Sequence, residues 1–188
     1  MFETFRNAWK IADLRKKILY TLMVIVVFRI GAAIPVPFID LEALKTLMGS
    51  MTGDTGLLGY FNIISGGGLE KATLFALSVT PYINASIIIQ LLTVAIPPLE
   101  RMAKEGEEGR KKIAKYTRYS TIVLGLIQAG AYYAYLYNSS IVKYNSGFDG
   151  VFTAIVIILT FTAGSALMMW LGEQINEKGI GNGISILL

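Results

Sequence analysis

Two apolar segments of unequal length, separated by a run of glycines, restrict the fold of this chain more than any other feature. The first, residues 57–64, would rise only about 12 Å as a helix, well short of the roughly 30 Å of hydrocarbon in a bilayer. The second, residues 74–96, is long enough to cross but carries Asn84 and Gln90 among its apolar side chains. Glycines at 66–68 interrupt the chain between the two segments. Because a half-length helix is tolerated at membrane depth only beside protein or a water-filled cavity, the stretch predicts a short re-entrant helix followed by a cavity-lining span.

The composition indicates an integral membrane protein. Apolar residues make up 54% of the chain and charged residues 16%, and the mean hydropathy is +0.56. Runs of spanning length predict an all-α helical bundle of four full spans, a re-entrant half-helix and the start of a fifth span. The predicted spans are residues 18–34, 71–96, 119–137 and 151–171, with the half-helix at 56–66 and the fifth span beginning at 181–188. Small residues four apart, Gly125 with Ala129 and Thr162 with Ala166, predict close helix packing in the third and fourth spans.

The residues that usually carry catalytic or metal chemistry are scarce. The chain contains no cysteine and no histidine, which removes disulfides, the usual zinc ligands and most pairings of a nucleophile with a base. Metal-dependent and hydrolytic chemistry are therefore not expected. The four predicted spans contain no Asp or Glu, which disfavours a proton-coupled transporter. The glycine-rich stretches SGGGLEKAT and GIGNG lack the spacing of phosphate-binding or dinucleotide-binding loops and are interpreted as backbone breaks.

Lysine and arginine are concentrated at two places, and this distribution predicts the orientation. Five basic residues lie within residues 1–17, before the first span, and seven lie within residues 97–118, between the second and third spans. Since short loops rich in Lys and Arg stay in the cytoplasm, both segments and residues 172–180 are predicted to be cytoplasmic, with the N-terminus inside. The connection at residues 38–55 is predicted to be polar and external.

Two of the charged segments each admit two interpretations. Residues 1–17 could form an amphipathic interfacial helix or a tail that only sets orientation. Residues 97–118 could be a solvated surface that only fixes topology, or a docking surface for a cytoplasmic partner. The basic residues considered for docking are Arg101, Lys104, Arg110, Lys111 and Lys112.

Val79 and Ile83 are four residues apart and would therefore stack on one face of the second span. Stacked aliphatic side chains that face a cavity could form a dry constriction that excludes water and ions. Ordinary helix packing explains the same spacing, so both interpretations stay open at this point.

Four motifs, in this order along the chain, resemble the bacterial SecY family. They are FRIGAAIPVP, the run from GGGLEKATLFAL to PYINASIIIQLL, EGEEGRKKIAKYTRY, and MWLGEQINEKGIGNGIS, and together they cover most of residues 28–185. The resemblance implies the pore subunit of the Sec translocon in the cell inner membrane. Such a subunit passes unfolded secretory proteins across the membrane and releases apolar segments sideways into lipid, without enzymatic activity or cofactors.

The resemblance also implies roles for individual residues. The short helix would be the plug that closes the pore from outside, formed by Leu57, Leu58, Tyr60, Phe61, Asn62, Ile63, Ile64 and Ser65. The pore ring would include Val79, Ile83, Ile184 and Leu188. One wall of the lateral gate would lie on the second and third spans and include Asn84, Ile87, Gln90 and Ile127.

The partners implied by the resemblance are SecE and SecG, SecA or the ribosome on the cytoplasmic side, signal sequences and nascent chains, and membrane lipid. The family fold pairs two inverted halves of five spans each. This chain resembles nearly the first half, so we expect that it ends within the fifth span and that a complete pore requires the second half. A solute transporter or ion channel, and a purely structural subunit, stay as alternatives, since broken helices and inverted repeats also occur in transporters.

Overall fold

A computed structural model describes residues 11–51, 67–144 and 146–188 of the chain. Within these ranges the regular elements are helices, joined by turns and by two isolated β-bridges. The helices are α1 (Ala12–Gly31), α2 (Leu41–Met51), α3 (Thr80–Ala95), α4 (Pro97–Lys104), α5 (Glu107–Asn138), α6 (Gly147–Lys178) and α7 (Gly183–Leu187). The all-α prediction is confirmed for the described residues. The predicted plug at 56–66 lies outside them, as do residues 1–10 of the predicted amphipathic segment.

The two longest helices, α5 and α6, are each 32 residues long and pack against one another, with α3 in contact with both. At their junction Gly125 of α5 lies beside Ser165 of α6 and Pro81 of α3. Ala129, one turn further along α5, is fully buried. Small side chains therefore let the helix backbones approach closely, as their spacing in the sequence predicts.

Ile96 separates α3 from α4. The two helices are bent by 101° there, and the backbone of Ile96 is extended, with φ −112° and ψ 111°. Pro97 and Pro98 cause the break, because proline disfavours helical conformation at the residue before it and lacks a backbone donor. α4 then packs against the start of α5. The segment predicted as a cytoplasmic loop is thus largely helical.

α3 is shorter than the predicted second span. It begins at Thr80 rather than at residue 71 and is 16 residues long. The residues before it, 67–79, form successive tight turns with positive φ at Ala72 and Ser78. Backbone groups of these residues bond to a neighbouring non-helical segment, which is why the helix does not start earlier.

That segment, residues 34–40, turns at Pro37 and Phe38 and holds together one end of the bundle. Backbone hydrogen bonds of 2.9–3.0 Å join it to residues 72–74 on one side and to residues 141–143 on the other. The bonds run from Val36 N to Ala72 O, from Leu74 N to Ile34 O, from Asp40 N to Ile141 O and from Lys143 N to Phe38 O. The turns at residues 67–79 and the connection between α5 and α6 are therefore held by the same short segment.

α2 forms inside residues 38–55, where the sequence predicts a polar connection. Asp40 caps it, because its Oδ1 accepts hydrogen bonds from the backbone N–H groups of Glu42 (3.0 Å) and Ala43 (3.1 Å). Leu44 of α2 is fully buried in the core. The connection is therefore an amphipathic helix seated on the bundle.

The buried apolar side chains form two clusters. The first lies at the end that contains segment 34–40, and the second surrounds the start of α3. The first consists of Val36, Ile39, Leu44, Leu69, Ala72, Ala76, Ala129, Leu136, Ile141, Val142, Ile157 and Phe161. The second consists of Val24, Phe75, Val79, Met168, Leu171, Ile175 and Leu187.

By length and apolar composition, α6 is the single helix among the described residues that could cross a membrane alone, and α3 with α4 adds a second if that bent pair is one span. α1 is too charged to count as such a helix, because any eighteen consecutive residues of it include Arg15, Lys16, Lys17 and Arg29.

The ends of the helices differ from the ends of the predicted spans. α5 begins at Glu107, so its first turns hold the charges that the sequence analysis assigns to a loop. α1 ends at Gly31, and α6 extends beyond residues 151–171 in both directions. Hydropathy marks the apolar part of a helix and not its ends.

Candidate functional site

A pocket of about 240 Å³ lies between the first turns of α3 and the start of α7. Its lining residues are uncharged and combine aliphatic side chains with amide and hydroxyl groups. They are Tyr82, Ile83, Ser86 and Ile87 of α3, Asn176 of α6, and Asn182, Ile184 and Ser185. Two residues of the predicted pore ring, Ile83 and Ile184, and one of the predicted gate, Ile87, thus line the same pocket. Such a surface can contact apolar side chains and also hydrogen-bond to peptide groups.

Val79 is not one of the residues that line this pocket. It is 1% exposed and packs in the second core cluster with Phe75, Met168 and Leu171. It immediately precedes α3, and its carbonyl accepts the hydrogen bond from Ile83 N at 3.0 Å. Ile83 and Ile184 are partly buried and pack against the same cluster.

Leu188, the remaining residue of the predicted ring, lies at the end of α7 and is 59% exposed. Its neighbour Leu187 is buried in the second core cluster instead. The structure therefore places Ile83 and Ile184 on one pocket and packs both against the cluster that contains Val79, whereas Leu188 is exposed.

The turn at residues 179–183 leads the chain from α6 to Ile184. Gly181 has φ +74°, a left-handed conformation that glycine adopts without steric cost. Asn182 caps α7, because its Oδ1 accepts hydrogen bonds from the N–H groups of Ile184 (3.1 Å) and Ser185 (3.3 Å). Asn176 Oδ1 accepts the hydrogen bond from Gly183 N at 2.7 Å. Two amide side chains therefore satisfy the first three N–H groups of α7.

α7 begins in direct contact with α6. A Cβ atom added at Gly183 would collide with the carbonyl of Gly172, and one added at Gly172 would collide with the side chain of Ile184. Glycine is therefore required at position 183, where the obstacle is backbone, whereas a Cβ atom at position 172 would displace the end of the Ile184 side chain. Ile184 lies between α6 and the pocket.

α1 contacts the same turn. The hydroxyl of Thr21 accepts a hydrogen bond from Ile180 N (3.1 Å) and donates one to Lys17 O (2.9 Å). Tyr20 donates from its hydroxyl to Gln174 Oε1 at 3.3 Å. The first helix and the last turn of the described chain are thus joined by side-chain hydrogen bonds.

The predicted gate residues lie on exposed helix faces. Asn84, Ile87 and Gln90 are exposed on α3, and Gln90 donates from Nε2 to Ser86 Oγ at 3.3 Å. Ile127 is 60% exposed on α5 and does not reach the pocket.

The basic residues considered for docking are all exposed, but they differ in their ion pairs. Lys104 pairs with Glu100, Lys111 with Glu107 at 3.4 Å, and Lys112 with Glu105 at 3.5 Å. Arg101 and Arg110 take part in none of the ion pairs found among the described residues. Among these five residues, the two arginines therefore carry the positive charge that no ion pair offsets.

Several residues that shape the site are absent from the sequence predictions. The Asn-Gly pair at 182–183 is a turn signal that could have identified the cap of α7. Thr21 is hydrogen-bonded to Ile180, 159 positions away in the sequence, and Arg118 forms an ion pair with Glu173, 55 positions away. No local sequence pattern indicates such contacts. Among the described residues, no group of three or more His, Cys, Asp or Glu side chains could hold a metal ion.

Comparison with known proteins identifies one family. The SecY family model matches residues 73–188. The protein translocase subunit SecY of Streptomyces scabiei is 44% identical over the whole chain, that of Bacillus subtilis is 45% identical, and that of Thermotoga maritima is 43% identical. The chain spans 44%, 42% and 44% of the length of these curated relatives, respectively.

A solved structure is also similar. It is Sec61 in the canine ribosome–channel complex from the endoplasmic reticulum, with a TM-score of 0.60, 20% sequence identity, and coverage of 92% of this chain and 35% of that one. This likeness concerns the fold. Since the family model matches more than half of the residues, the chain belongs to the SecY family.

Proposed function

We propose that this chain forms part of the pore subunit of a protein-conducting channel, which passes unfolded secretory proteins across the membrane. The observation that carries the proposal is that Ile83 of α3 and Ile184 of α7 line one pocket, beside a set of uncharged polar groups. Aliphatic side chains from separate helices can close an opening to water and ions, since a narrow apolar constriction dewets. Membership of the SecY family supports this function for the site.

The proposed membrane arrangement follows the sequence predictions. Residues 18–34, 71–96, 119–137 and 151–171 cross the cell inner membrane, residues 181–188 begin a fifth span, and residues 56–66 form the plug. Residues 1–17 and 97–118 lie in the cytoplasm, which the concentration of Lys and Arg supports. The Pro97–Pro98 break and the 101° bend support a change of direction where the second span leaves the bilayer.

We further propose that apolar segments leave the channel sideways along α3 and α5. Ile87, Ile88 and Leu91 on α3 and Ile127 on α5 are between 44% and 66% exposed. In a bilayer these side chains would contact lipid or an apolar segment of a passing chain. Asn84 and Gln90 on the same helix would mark the polar edge of this gate.

The proposed partners are SecE and SecG in the membrane, and SecA or the ribosome on the cytoplasmic side. The similar Sec61 structure is a ribosome–channel complex, which supports a ribosome partner. The exposed, unpaired Arg101 and Arg110 support docking of an acidic or phosphate-bearing surface. The channel wall opposite α3 and α7 would come from the second half of the family fold.

The experiment that tests the function is resting ion conductance of the complete channel in planar bilayers. Ile83→Asn combined with Ile184→Asn should raise the resting conductance, because two amide side chains hydrate a constriction that aliphatic ones keep dry. Ile158→Asn, a partly buried isoleucine of the other core region, is the matched control. Deletion of Leu57 to Ser65 should also raise conductance while protein transport continues. A double-asparagine channel as tight as the parent would contradict the proposal.

A further inference from the structure

We infer that Asn176 and Thr21 are positioning residues, which fix the turn at 179–183 and thereby hold Ile184 opposite Ile83. The effect on pore closure rests on the proposed function, whereas the effect on the position of Ile184 rests on geometry alone. Neither residue is part of the aliphatic ring itself.

Asn176 fixes the end of the turn that leads into α7. Its Oδ1 accepts from Gly183 N at 2.7 Å, and Gly183 is the first residue of α7. The Asn182 side chain already accepts from Ile184 N and Ser185 N. Without Asn176 the N–H of Gly183 would lose this acceptor in a partly buried contact, which carries a free-energy penalty.

Thr21 fixes the beginning of the turn. Its hydroxyl donates to Lys17 O within α1, so that an oxygen lone pair is directed to Ile180 N. Thr21 is 9% exposed, and a Cβ atom at Gly179 would lie only 2.6 Å from its hydroxyl oxygen. α1 therefore contacts two successive residues of the turn.

A shift of the turn would move Ile184 directly. Ile184 is only one residue beyond Gly183, and its side chain already contacts Gly172 of α6. It is therefore held between α6 on one side and the pocket shared with Ile83 on the other. The two hydrogen bonds fix both ends of a glycine-rich turn that could otherwise sample many conformations.

The test is chemical cross-linking across the pocket in the complete channel, in a variant free of other cysteines. Ile83→Cys and Ile184→Cys are joined by a short bis-maleimide, and the initial rate is measured. Adding Asn176→Ala or Thr21→Val should slow cross-linking by about fivefold, the factor that corresponds to loss of one net hydrogen bond. Asn176→Asp and Thr21→Ser retain an acceptor oxygen and should restore the rate. Asn138→Ala, an exposed asparagine at the far end of α5, should have no effect.

The possible outcomes separate this inference from the proposed function. Parental cross-linking rates in both Asn176→Ala and Thr21→Val would overturn the inference. Slow cross-linking that Asp and Ser fail to restore would overturn it as well, because the loss would then not be that of the acceptor. Resting conductance unchanged by Ile83→Asn with Ile184→Asn contradicts the proposed function and leaves the cross-linking result to decide on positioning.

Discussion

Arg118 Nε donates to Glu173 Oε1 at 2.9 Å and joins α5 to α6. The side chain of Glu173 is 16% exposed and that of Arg118 is 48% exposed, whereas the other ion pairs of the described residues involve more exposed carboxylates. A charge-assisted hydrogen bond with a mostly buried carboxylate is stronger than a fully solvated pair. The two longest helices are therefore joined by a polar contact as well as by apolar packing.

The strength of this contact can be measured by a double-mutant cycle. Replacing Arg118 and Glu173 by alanine, singly and together, should give a coupling energy of about 1 kcal/mol in chemical unfolding of the channel in micelles. The value is modest because Arg118 is half exposed and solvent screens its charge. The control is Lys112 with Glu105, 3.5 Å apart and each more than half exposed, for which we expect coupling close to zero. Equal coupling in both pairs would contradict a special role for Arg118–Glu173.

Val79→Asn should destabilise the protein rather than open a pore. Val79 is 1% exposed in an apolar cluster, so an amide there would be buried without an assured partner. We expect a loss of about 2 kcal/mol in the free energy of unfolding. Ile83→Asn, at a partly exposed position on the pocket, should cost less than half as much. A leaky channel with unchanged stability would show that Val79 faces the pore.

Gly164→Ala should be one of the most damaging single-methyl additions in α6. An added Cβ would collide with the backbone carbonyl of Leu74, and neither backbone can move freely. We expect destabilisation by about 1–3 kcal/mol. The matched control is Gly130→Ala in α5, where a Cβ meets nothing within 4 Å. That substitution should be neutral or stabilising by up to about 1 kcal/mol, since alanine favours helix over glycine.

Docking of SecA or the ribosome should depend more on the unpaired arginines than on the paired lysines. Arg101→Glu with Arg110→Glu should weaken binding of the complete channel, and the loss should diminish at high salt. Lys111→Glu with Lys112→Glu is the charge-matched control, because both lysines already have acidic neighbours. Equal losses for the two pairs would indicate a diffuse charge effect. If neither double substitution weakens binding, the segment is a solvated surface and not a docking surface.

The orientation can be tested with single cysteines at exposed positions. Lys104→Cys should be protected from an impermeant reagent in intact cells, whereas Lys45→Cys and Ser146→Cys should react. Reaction of Lys104→Cys in intact cells would contradict the proposed topology. Labelling of Lys104→Cys in permeabilised cells is the control that shows the cysteine itself can react.

Hydropathy and proline placement were sufficient to predict the helical class and the break after α3. The beginning of α3 was not predictable, because the turns before it depend on backbone hydrogen bonds from Leu74 N to Ile34 O and from Val36 N to Ala72 O, which leave no trace in local periodicity. α2 was missed since its buried leucines lie among polar residues in a short helix. The stacking of Val79 on Ile83 assumed a helix that includes both, whereas the helix begins between them.

The prediction that Ile83 and Ile184 lie together came from the resemblance to a family and not from the spacing of residues in the sequence. No pattern within a single helix relates α3 to α7. The close approach of α7 to α6 depends on Gly183, and the need for glycine there becomes clear only when both backbones are in place. Thr21 contributes a single hydroxyl from α1, and the sequence around it resembles that of any apolar helix.

The segment at 34–40 also has a consequence for the order of assembly during synthesis. Its bonds to residues 72–74 can form once those residues have emerged from the ribosome, but the bonds of Phe38 with Lys143 and of Asp40 with Ile141 must wait for about seventy further residues. Until then one edge of the segment has unpaired backbone groups while α3, α4 and most of α5 are being made. The nascent chain therefore passes through a stage in which this segment is bonded on one side only, and the connection after α5 completes that end of the bundle.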